Sequence, residues 1–297
     1  MKGDALREFA DEVGAKDPVV PVGGRTQWSV GGAPSPDARE VRPPAGIVEF
    51  VPAEMTVRVR AATTVVELDA ALAAAGQTVA LPDWPGATVG GVLAVGHSGV
   101  RRLGWGPIRN TLLEARYVSA EGRLIKAGGP VVKNVTGFDL CRLLVGSLGT
   151  IGVLGEVVLR TRPRPVVSRW VMASDGDPFA IRGRLHAPSS ILWDGAATWV
   201  LLEGHGADVD AEQARLGSAF AEVAGPPPLP TGGRQSRRPS EFRTLSGEFV
   251  AEVGVGTVHR GDPVRSPPVP ATVAELHRRV KAVFDPTGRL NPGRRVA

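Results

Sequence analysis

Apolar residues in the first 76 positions follow a helical period and a strand period in turn. Residues 4–13 carry an apolar stripe at helical spacing, made of Leu6, Phe9, Ala10 and Val13. Short apolar runs predict strands at 19–22, 47–51 and 57–61. Thr64 and Glu67 have the spacing of a capping box, which predicts a helix that ends near Gly76. This part of the chain is therefore predicted to alternate helix and strand.

The pattern changes after residue 76. Strand-like runs at 112–118, 123–126 and 152–161 are separated by glycine-rich turns, and Pro163 and Pro165 then break the chain. A helix is predicted at 208–223, and residues 225–240 have the composition of a loop or linker. Thr272 and Glu275 predict the capping box of a last helix, whose apolar stripe consists of Val273, Leu276, Val280, Val283 and Phe284. We place domains at 1–165 (with lobes 1–76 and 77–165) and 166–258, followed by a segment 259–297.

Composition and single residues exclude several classes of protein. The chain has 297 residues, of which 42% are hydrophobic and 22% charged, which are globular values. It contains no apolar run of about 18 residues, so we expect no direct membrane insertion. The charged start, MKGDALREFADEVG, does not resemble a signal peptide, and we expect a cytoplasmic protein that reaches the inner membrane only through partners. A single cysteine, Cys141, excludes an internal disulfide and a CxxC metal site.

The net charge of +5 is concentrated in the last quarter of the chain. Residues 226–297 carry a net +6, whereas residues 1–225 carry −1. The arginines are dispersed and aromatic residues make up only 5%, so the sequence lacks the basic, aromatic face of a nucleic-acid binder. The basic excess fits an acidic partner protein or an anionic cofactor better.

Three glycine-rich segments carry the candidate chemistry. The first, PVGGRTQWSVGG at 21–32, follows a strand and is either a plain tight turn or a nest of backbone N–H groups for a pyrophosphate. The second, LPDWPGATVGGVLAVGHSG at 81–99, has Thr88 as a helix cap and is either a close helix contact or a ligand site. The third, GSLGTIGVLGE at 146–156, enters a strand and does not match G-x-G-x-x-G. Together with the lack of a P-loop, this argues against an NAD-type Rossmann enzyme and an NTPase.

In this order and spacing, the three segments resemble the FAD-binding domain of the vanillyl-alcohol oxidase superfamily, also called the PCMH-type FAD domain. The stretch VVKNVTGFDLCRLLVGSLGTIGVLGEVVLRTRPRP at 131–165 is similar to the glycolate oxidase and D-lactate dehydrogenase branch, and FDPTGRLNPG at 284–293 resembles its C-terminal motif. The short length places the nearest resemblance at the smaller FAD-binding subunits of the glycolate oxidases. The implied fold is α+β: a two-lobed FAD domain, a small α/β cap domain for substrate, and a C-terminal segment that returns to the flavin.

The resemblance also implies which residues bind FAD. The first loop would hold the pyrophosphate, the second and third segments would line the flavin and adenine ends, and the tail would close over the ring. The residues so predicted are Pro21, Val22, Gly23, Gly24, Arg25, Thr26, Gln27, Trp28, Pro82, Gly86, Ala87, Thr88, Gly90, Gly91, Gly96, His97, Ser98, Gly99, Arg109, Gly146, Gly149, Gly152, Val153 and Asn291.

Departures from the family pattern sharpen this prediction. Arg25 replaces a usual glycine, Asn110 a usual aspartate, and Phe138 a usual tyrosine. The first loop has no histidine that could tether the flavin, so we predict non-covalent FAD. His97 and His259 are the candidate catalytic residues, each with the alternative of a structural hydrogen bond or simple exposure. Lys133 is either a positive charge beside reduced flavin or a surface ion pair, and no histidine spacing indicates a metal site.

The implied function is the oxidation of a 2-hydroxy acid such as glycolate, in which a hydride passes to flavin N5 and a base takes the hydroxyl proton. The likeness implies a second flavoprotein subunit and an iron–sulfur subunit as partners. Two alternatives stay open at this point. In the first, the chain is an FAD-binding accessory or electron-relay subunit without its own turnover. In the second, it is a scaffold whose FAD loops have decayed.

Overall fold

The computed structural model describes residues 4–130, 138–264 and 269–295. The α-helices in these ranges are α1 Asp4–Val13, α2 Val65–Ala73, α3 Val89–Val95, α4 Arg102–Trp105, α5 Leu140–Leu144, α6 Pro178–Arg184, α7 Gly206–Leu216 and α8 Ala271–Phe284. The strands are β1 Val19–Pro21, β2 Arg39–Val41, β3 Ile47–Val51, β4 Thr56–Arg60, β5 Gln77–Val79, β6 Leu112–Val118, β7 Leu124–Gly128, β8 Val153–Pro163, β9 Val167–Ala173, β10 Ser190–Trp193, β11 Thr198–Gly204, β12 Ala221–Val223, β13 Gly233–Ser236, β14 Phe249–Glu252 and β15 Thr257–Arg260. This mixture of helix and sheet confirms the predicted α+β composition.

The chain divides into two compact units. The first is formed by the described residues of Met1–Ser98, Pro107–Arg164 and Pro268–Ala297, and the second by those of Gly99–Gly106 and Pro165–Pro267. One of these boundaries lies between Arg164 and Pro165. The predicted boundary at 258 differs, because residue 259 lies inside β15, which pairs with β14 and β13 in the second unit.

The first unit contains a small parallel pair and a larger antiparallel sheet. Strands β1 and β2 are parallel, and the second sheet has the order β3-β4-β8-β6-β7, with β5 also paired to β8. Strands β3 and β4 lie in the same sheet as β6 to β8, so no division of the sheet falls at the predicted lobe boundary of residue 76. The long strand β8 lies inside the sheet with most of its residues buried, as its largely apolar sequence predicts.

Local sequence signals explain the N-terminal elements of this unit. In α1 the predicted stripe is buried, and Gly14, at a φ of 60°, ends the helix. The capping box of α2 is confirmed, because Thr64 Oγ1 accepts the Glu67 N–H while the Glu67 carboxylate accepts the Thr64 N–H. Strands β3 and β6 have the predicted bounds.

The second unit is a seven-stranded antiparallel sheet of order β12-β9-β11-β10-β14-β15-β13. Helices α6 and α7 pack with the sheet around a core that includes Ile191, Val200 and Phe242. The predicted helix 208–223 was too long: α7 ends at Leu216 and residues 221–223 form edge strand β12. The predicted linker 225–240 contains strand β13, because the ladder to β15 satisfies its backbone groups despite a polar sequence.

The last helix differs from its prediction in its N-terminal cap and in how much of its apolar stripe is buried. Helix α8 begins at Ala271 after Pro270, with Thr272 inside the helix, so the predicted capping box is wrong. Of the predicted apolar stripe, Val280 and Phe284 pack against the core of the first unit, whereas Val273, Leu276 and Val283 are exposed. Within the described residues, no helix has the length and apolar character needed to cross a membrane.

Candidate FAD site

The three glycine-rich segments meet in the first unit. A Cβ added to Gly24 would lie 2.7 Å from the carbonyl carbon of Gly86, which joins the first segment to the second. One added to Gly96 would lie 2.8 Å from Gly146 Cα, which joins the second to the third. Segments distant in sequence therefore approach at backbone distance, and glycine is required there because no side chain fits.

The first loop carries a row of backbone donors. The N–H groups of Val22 and Trp28 donate to backbone oxygens of Val41 and Arg25, but in the described part of the chain the N–H groups of residues 23–27 have no protein acceptor. These residues all line one cavity. Consecutive unpaired amides in a concave wall are the arrangement that binds phosphate oxygens.

Arg25 adopts an uncommon conformation in this loop. Its φ of 56° is left-handed, which is consistent with the usual glycine at this position. Its guanidinium forms an ion pair with Glu40 and lies 4.9 Å from the centroid of the Trp28 ring. The positive charge that Arg25 adds to the loop is therefore already paired with a carboxylate.

The second segment brings small residues to the cavity wall. Thr88 caps α3 by accepting the Gly91 N–H, and the Gly90 N–H donates to the Ala61 carbonyl at 2.8 Å. A Cβ on Gly90 would lie 2.7 Å from that of Ala61. The helix thus packs directly on the end of β4, and the run of small side chains leaves the cavity open.

The third segment and the C-terminal tail contact each other at Asn291. Its N–H donates to the Val19 carbonyl, and its Nδ2 donates to the carbonyl of Leu148 at 2.6 Å. Asn291 Oδ1 is buried and has no hydrogen-bond partner in the described residues, and the residue lines the cavity. Because an unpaired buried acceptor is costly, this atom fits an N–H donor of a bound ligand.

A buried ion pair fixes the tail behind this site. Lys281 Nζ donates to the carbonyls of Thr150 at 2.6 Å and Leu290 at 2.8 Å, and to the carboxylate of Asp285. Burial lowers the pKa of Lys281, and its hydrogen bond to Asp285 opposes that effect. One side chain thereby ties α8, the third segment and the tail together.

The cavity has a volume of about 110 Å³ and opens to solvent. Of the predicted cofactor residues, those that line it are Pro21, Val22, Gly23, Gly24, Arg25, Thr26, Gln27, Trp28, Thr88, Gly90, Gly91, Gly149, Gly152 and Asn291. Those outside its lining are Pro82, Gly86, Ala87, Gly96, His97, Ser98, Gly99, Arg109, Gly146 and Val153.

Some residues of this second group have other contacts or belong to the second unit. Gly86 lies against the lining residue Gly24, Gly146 lies against Gly96, and Ser98 accepts the Ile108 N–H through its hydroxyl. Arg109 is exposed, and Gly99 belongs to the second unit. Which of the predicted residues touch the cofactor stays a prediction.

The sequence reasoning missed part of the wall. The lining residues absent from the prediction are Val30, Pro43, Ala61, Ala62, Trp84, Val92, Ala94, Val95, Ser147, Leu148, Leu154 and Arg294. Arg294 had a usable signal, because it directly follows the tail motif LNPG that predicted Asn291. The alanines at the end of β4 had none.

The two candidate catalytic histidines lie in different surroundings. His97 Nδ1 is 2.9 Å from Gln27 Oε1, so this ring orients a side chain of the cavity wall. His259, in the second unit, has its Nε2 2.8 Å from Glu252 Oε1, and Arg234 lies 3.6 Å from the same oxygen. Lys133 lies outside the described residues. A catalytic role for either histidine stays a prediction.

His259, Glu252 and Arg234 form a polar cluster in the second unit. Glu252 is only 1% exposed, and its Oε2 has no hydrogen-bond partner among the described residues. Burial lowers the pKa of Arg234, and the Glu252 carboxylate opposes that effect. No group of three or more His, Cys, Asp or Glu side chains suited to a metal ion occurs in the described ranges.

FAD fits the cavity of the first unit on two structural grounds: the unpaired N–H groups of residues 23–27 suit a diphosphate, and the unpaired Asn291 Oδ1 suits a ring N–H. Comparison with known proteins agrees. Residues 4–128 match the family model described as "FAD binding domain", and residues 244–294 match "FAD linked oxidases, C-terminal domain".

The chain belongs to the PCMH-type FAD-linked oxidase superfamily. FAD is the cofactor of this family and of this chain.

Individual members of the superfamily differ in how much of their length aligns. The chain is 34% identical to glycolate oxidase subunit GlcE of Escherichia coli (strain K12), over 74% of the chain and 65% of the relative. It is 36% identical to D-lactate dehydrogenase of Archaeoglobus fulgidus, over 54% of the chain and 36% of the relative. The aligned region thus spans about two thirds or less of these relatives' length.

A solved structure of alkyldihydroxyacetonephosphate synthase shares the fold. Its TM-score is 0.71 at 14% identity, and the superposition covers 98% of this chain and 74% of that one. At this identity the likeness concerns the fold alone.

Proposed function

We propose that this chain is an FAD-dependent oxidoreductase subunit that acts in the oxidation of a 2-hydroxy acid such as glycolate. The observation that carries the proposal is the meeting of three glycine segments around a cavity whose wall holds the unpaired N–H groups of residues 23–27. The relatives named as glycolate oxidase subunits and D-lactate dehydrogenases support the substrate class.

Bound FAD supplies the acceptor for a hydride from the α-carbon of the substrate, at its N5 atom. The chain's own residues bind and orient. The amides of residues 23–27 hold the diphosphate, Asn291 Oδ1 accepts a ring N–H, and His97 keeps Gln27 in place. Because the first loop contains no histidine, the cofactor is held without a covalent bond.

Two side chains of the second unit support this substrate class. Arg234 is a half-buried cation suited to a carboxylate, and the imidazole ring of His259 is oriented by Glu252. We infer that His259 takes the hydroxyl proton. Replacing it by glutamine, which retains a polar group without a titratable ring, is expected to lower substrate-dependent flavin reduction while leaving the flavin content unchanged.

The alternative is an FAD-binding accessory or electron-relay subunit in a multi-subunit oxidase. The exposed apolar side chains of α8, at Val273, Leu276 and Val283, favour a chain that works in a complex. We propose a second flavoprotein subunit and an iron–sulfur subunit as the partners. The relatives that are named as subunits support an assembly of this kind.

One experiment separates these functions. The purified chain is expected to be yellow, and anaerobic addition of glycolate or D-lactate to it should bleach the flavin bands. A yellow protein that bleaches only with its partner subunits present would favour the accessory function. A colourless protein that takes up no FAD would contradict both.

A further inference from the structure

Arg294 reaches from the C-terminal tail to the first loop. Its Nη1 atom donates to the carbonyl of Val30 at 2.9 Å, and also to those of Trp28 and Gly32. Its guanidinium carbon lies 4.6 Å from the centroid of the Trp28 ring. Three carbonyls that alternate along the loop thus point at one cation, which lines the same cavity as the unpaired N–H groups of residues 23–27.

Arg294 differs from Arg25 in its ionic partners. In the parts of the chain that the structure describes, Arg294 has no ion pair, whereas Arg25 on the same tryptophan ring is paired with Glu40. Burial lowers the pKa of Arg294, and no neighbouring acid among the described residues opposes the effect. A half-buried, unpaired charge in a cavity wall is a cost that a bound anion would remove.

The remaining donors of Arg294 are available for such an anion. A guanidinium has five N–H donors in a planar fork, and the hydrogen bonds to the loop carbonyls use only Nη1. Planar pairs of N–H groups match phosphate oxygens in geometry as well as charge. The loop amides supply further donors but no net charge, whereas a guanidinium supplies both.

We propose that Arg294 of the C-terminal tail is the counter-ion of the FAD diphosphate. The carbonyls of the first loop hold its guanidinium in position. The inference rests on the assignment of FAD to this cavity. It gives the C-terminal segment a direct part in cofactor binding, separate from the contact of Asn291.

The rival explanation is a latch: the guanidinium would only fasten the tail to the loop through its hydrogen bonds. The counter-ion and latch explanations predict different results for the Arg294→Lys variant. Lysine retains the positive charge but lacks the planar fork that bonds the carbonyls and stacks on Trp28. A counter-ion is therefore partly rescued by lysine, and a latch is not.

The test is calorimetric titration of FAD and of ADP into the full-length apoprotein of the wild type, Arg294→Gln and Arg294→Lys. Arg295→Gln is the matched control, because Arg295 is exposed and contacts Gly31 through its backbone N–H, which the substitution keeps. We expect Arg294→Gln to weaken both ligands about tenfold or more. Arg294→Lys should recover most of that loss, and raised salt should weaken the wild type more than Arg294→Gln.

Other outcomes overturn the inference. Equal losses in the lysine and glutamine variants would identify a latch, and wild-type affinity in Arg294→Gln would remove any role in binding. A wild-type apoprotein that binds neither FAD nor ADP would overturn the cofactor assignment itself, which distinguishes that failure from the failure of the Arg294 proposal.

Discussion

Gly24 offers the sharpest test of how the cofactor site is built. A Cβ at this position would lie 2.7 Å from the carbonyl carbon of Gly86 and closer still to its oxygen. Both neighbours are backbone atoms, so no flexible side chain can move aside. To reach van der Waals contact, the two segments would have to separate by roughly 1 Å.

The substitution Gly24→Ala therefore displaces a cavity-lining loop. Overpacking of this kind typically costs about 1–3 kcal/mol. If that free energy is lost from the bound form, FAD affinity falls by about five- to a hundredfold. The expected result is a lower flavin content on purification and a correspondingly higher dissociation constant, measured by fluorescence titration of the apoprotein.

A matched control uses the same chemical change elsewhere. Gly183 lies in α6, and a Cβ there meets nothing within 4 Å. Gly183→Ala should leave FAD binding unchanged, and its apoprotein should be slightly more stable because alanine favours the helix. Wild-type FAD affinity and melting temperature in Gly24→Ala would refute the argument that the two glycines meet at backbone distance.

Three further predictions concern buried ionisable groups. Burial opposes the ionisation of Glu114, but hydrogen bonds from Arg58 and Lys126 outweigh this effect and hold the pKa of Glu114 below its usual range. The ionised carboxylate therefore stabilises the fold above its unfolded-state pKa. This stabilisation is lost as the pH falls through the folded-state pKa. Glu114→Gln should thus lower the free energy of unfolding by about 3 kcal/mol near neutral pH in urea titrations, and by much less in acid. Burial raises the pKa of Cys141 to about 11, so the native thiol should react slowly with a disulfide reagent at pH 8 and rapidly once the chain is unfolded in urea. Lys281→Met should leave Asp285 buried without its cation and lower the free energy of unfolding by about 3–5 kcal/mol, measured by thermal unfolding. It should also weaken FAD binding, measured by fluorescence titration.

The controls for these experiments are available in the chain. Arg279→Met changes a neighbouring basic residue on the exposed side of α8 and should leave stability unchanged. If the free energy of unfolding of Glu114→Gln falls with decreasing pH as steeply as that of the wild type, the titration assigned to Glu114 is contradicted. Stoichiometric labelling of native Cys141 within minutes would show that its thiol is not buried, and an unaltered melting temperature in Lys281→Met would contradict the role of its ion pair.

Local patterns in the sequence determined the elements whose stabilising contacts are close in the chain. The stripe of α1 and the capping box of α2 depend on residues three or four positions apart, so each could be predicted without knowing the fold. The glycine segments were also visible, since three of them in this order are a specific pattern. Their side-chain-free character indicated a cofactor but not which atoms each glycine must approach.

Only the tertiary structure decided the contacts between distant residues. Gly24 must be a glycine because the backbone of Gly86 lies against it. Within the described residues Asn291 Oδ1 has no partner, while the carbonyl of Leu148 accepts the side-chain N–H of Asn291. The apolar stripe of α8 predicted burial, but only part of the stripe packs against the core. The sequence could not show this, because an amphipathic pattern does not tell how much core surface is available to the helix. Among the described residues, Arg25 has an acid nearby and Arg294 has none. Sequence spacing contains no information on that point, because charges meet in space.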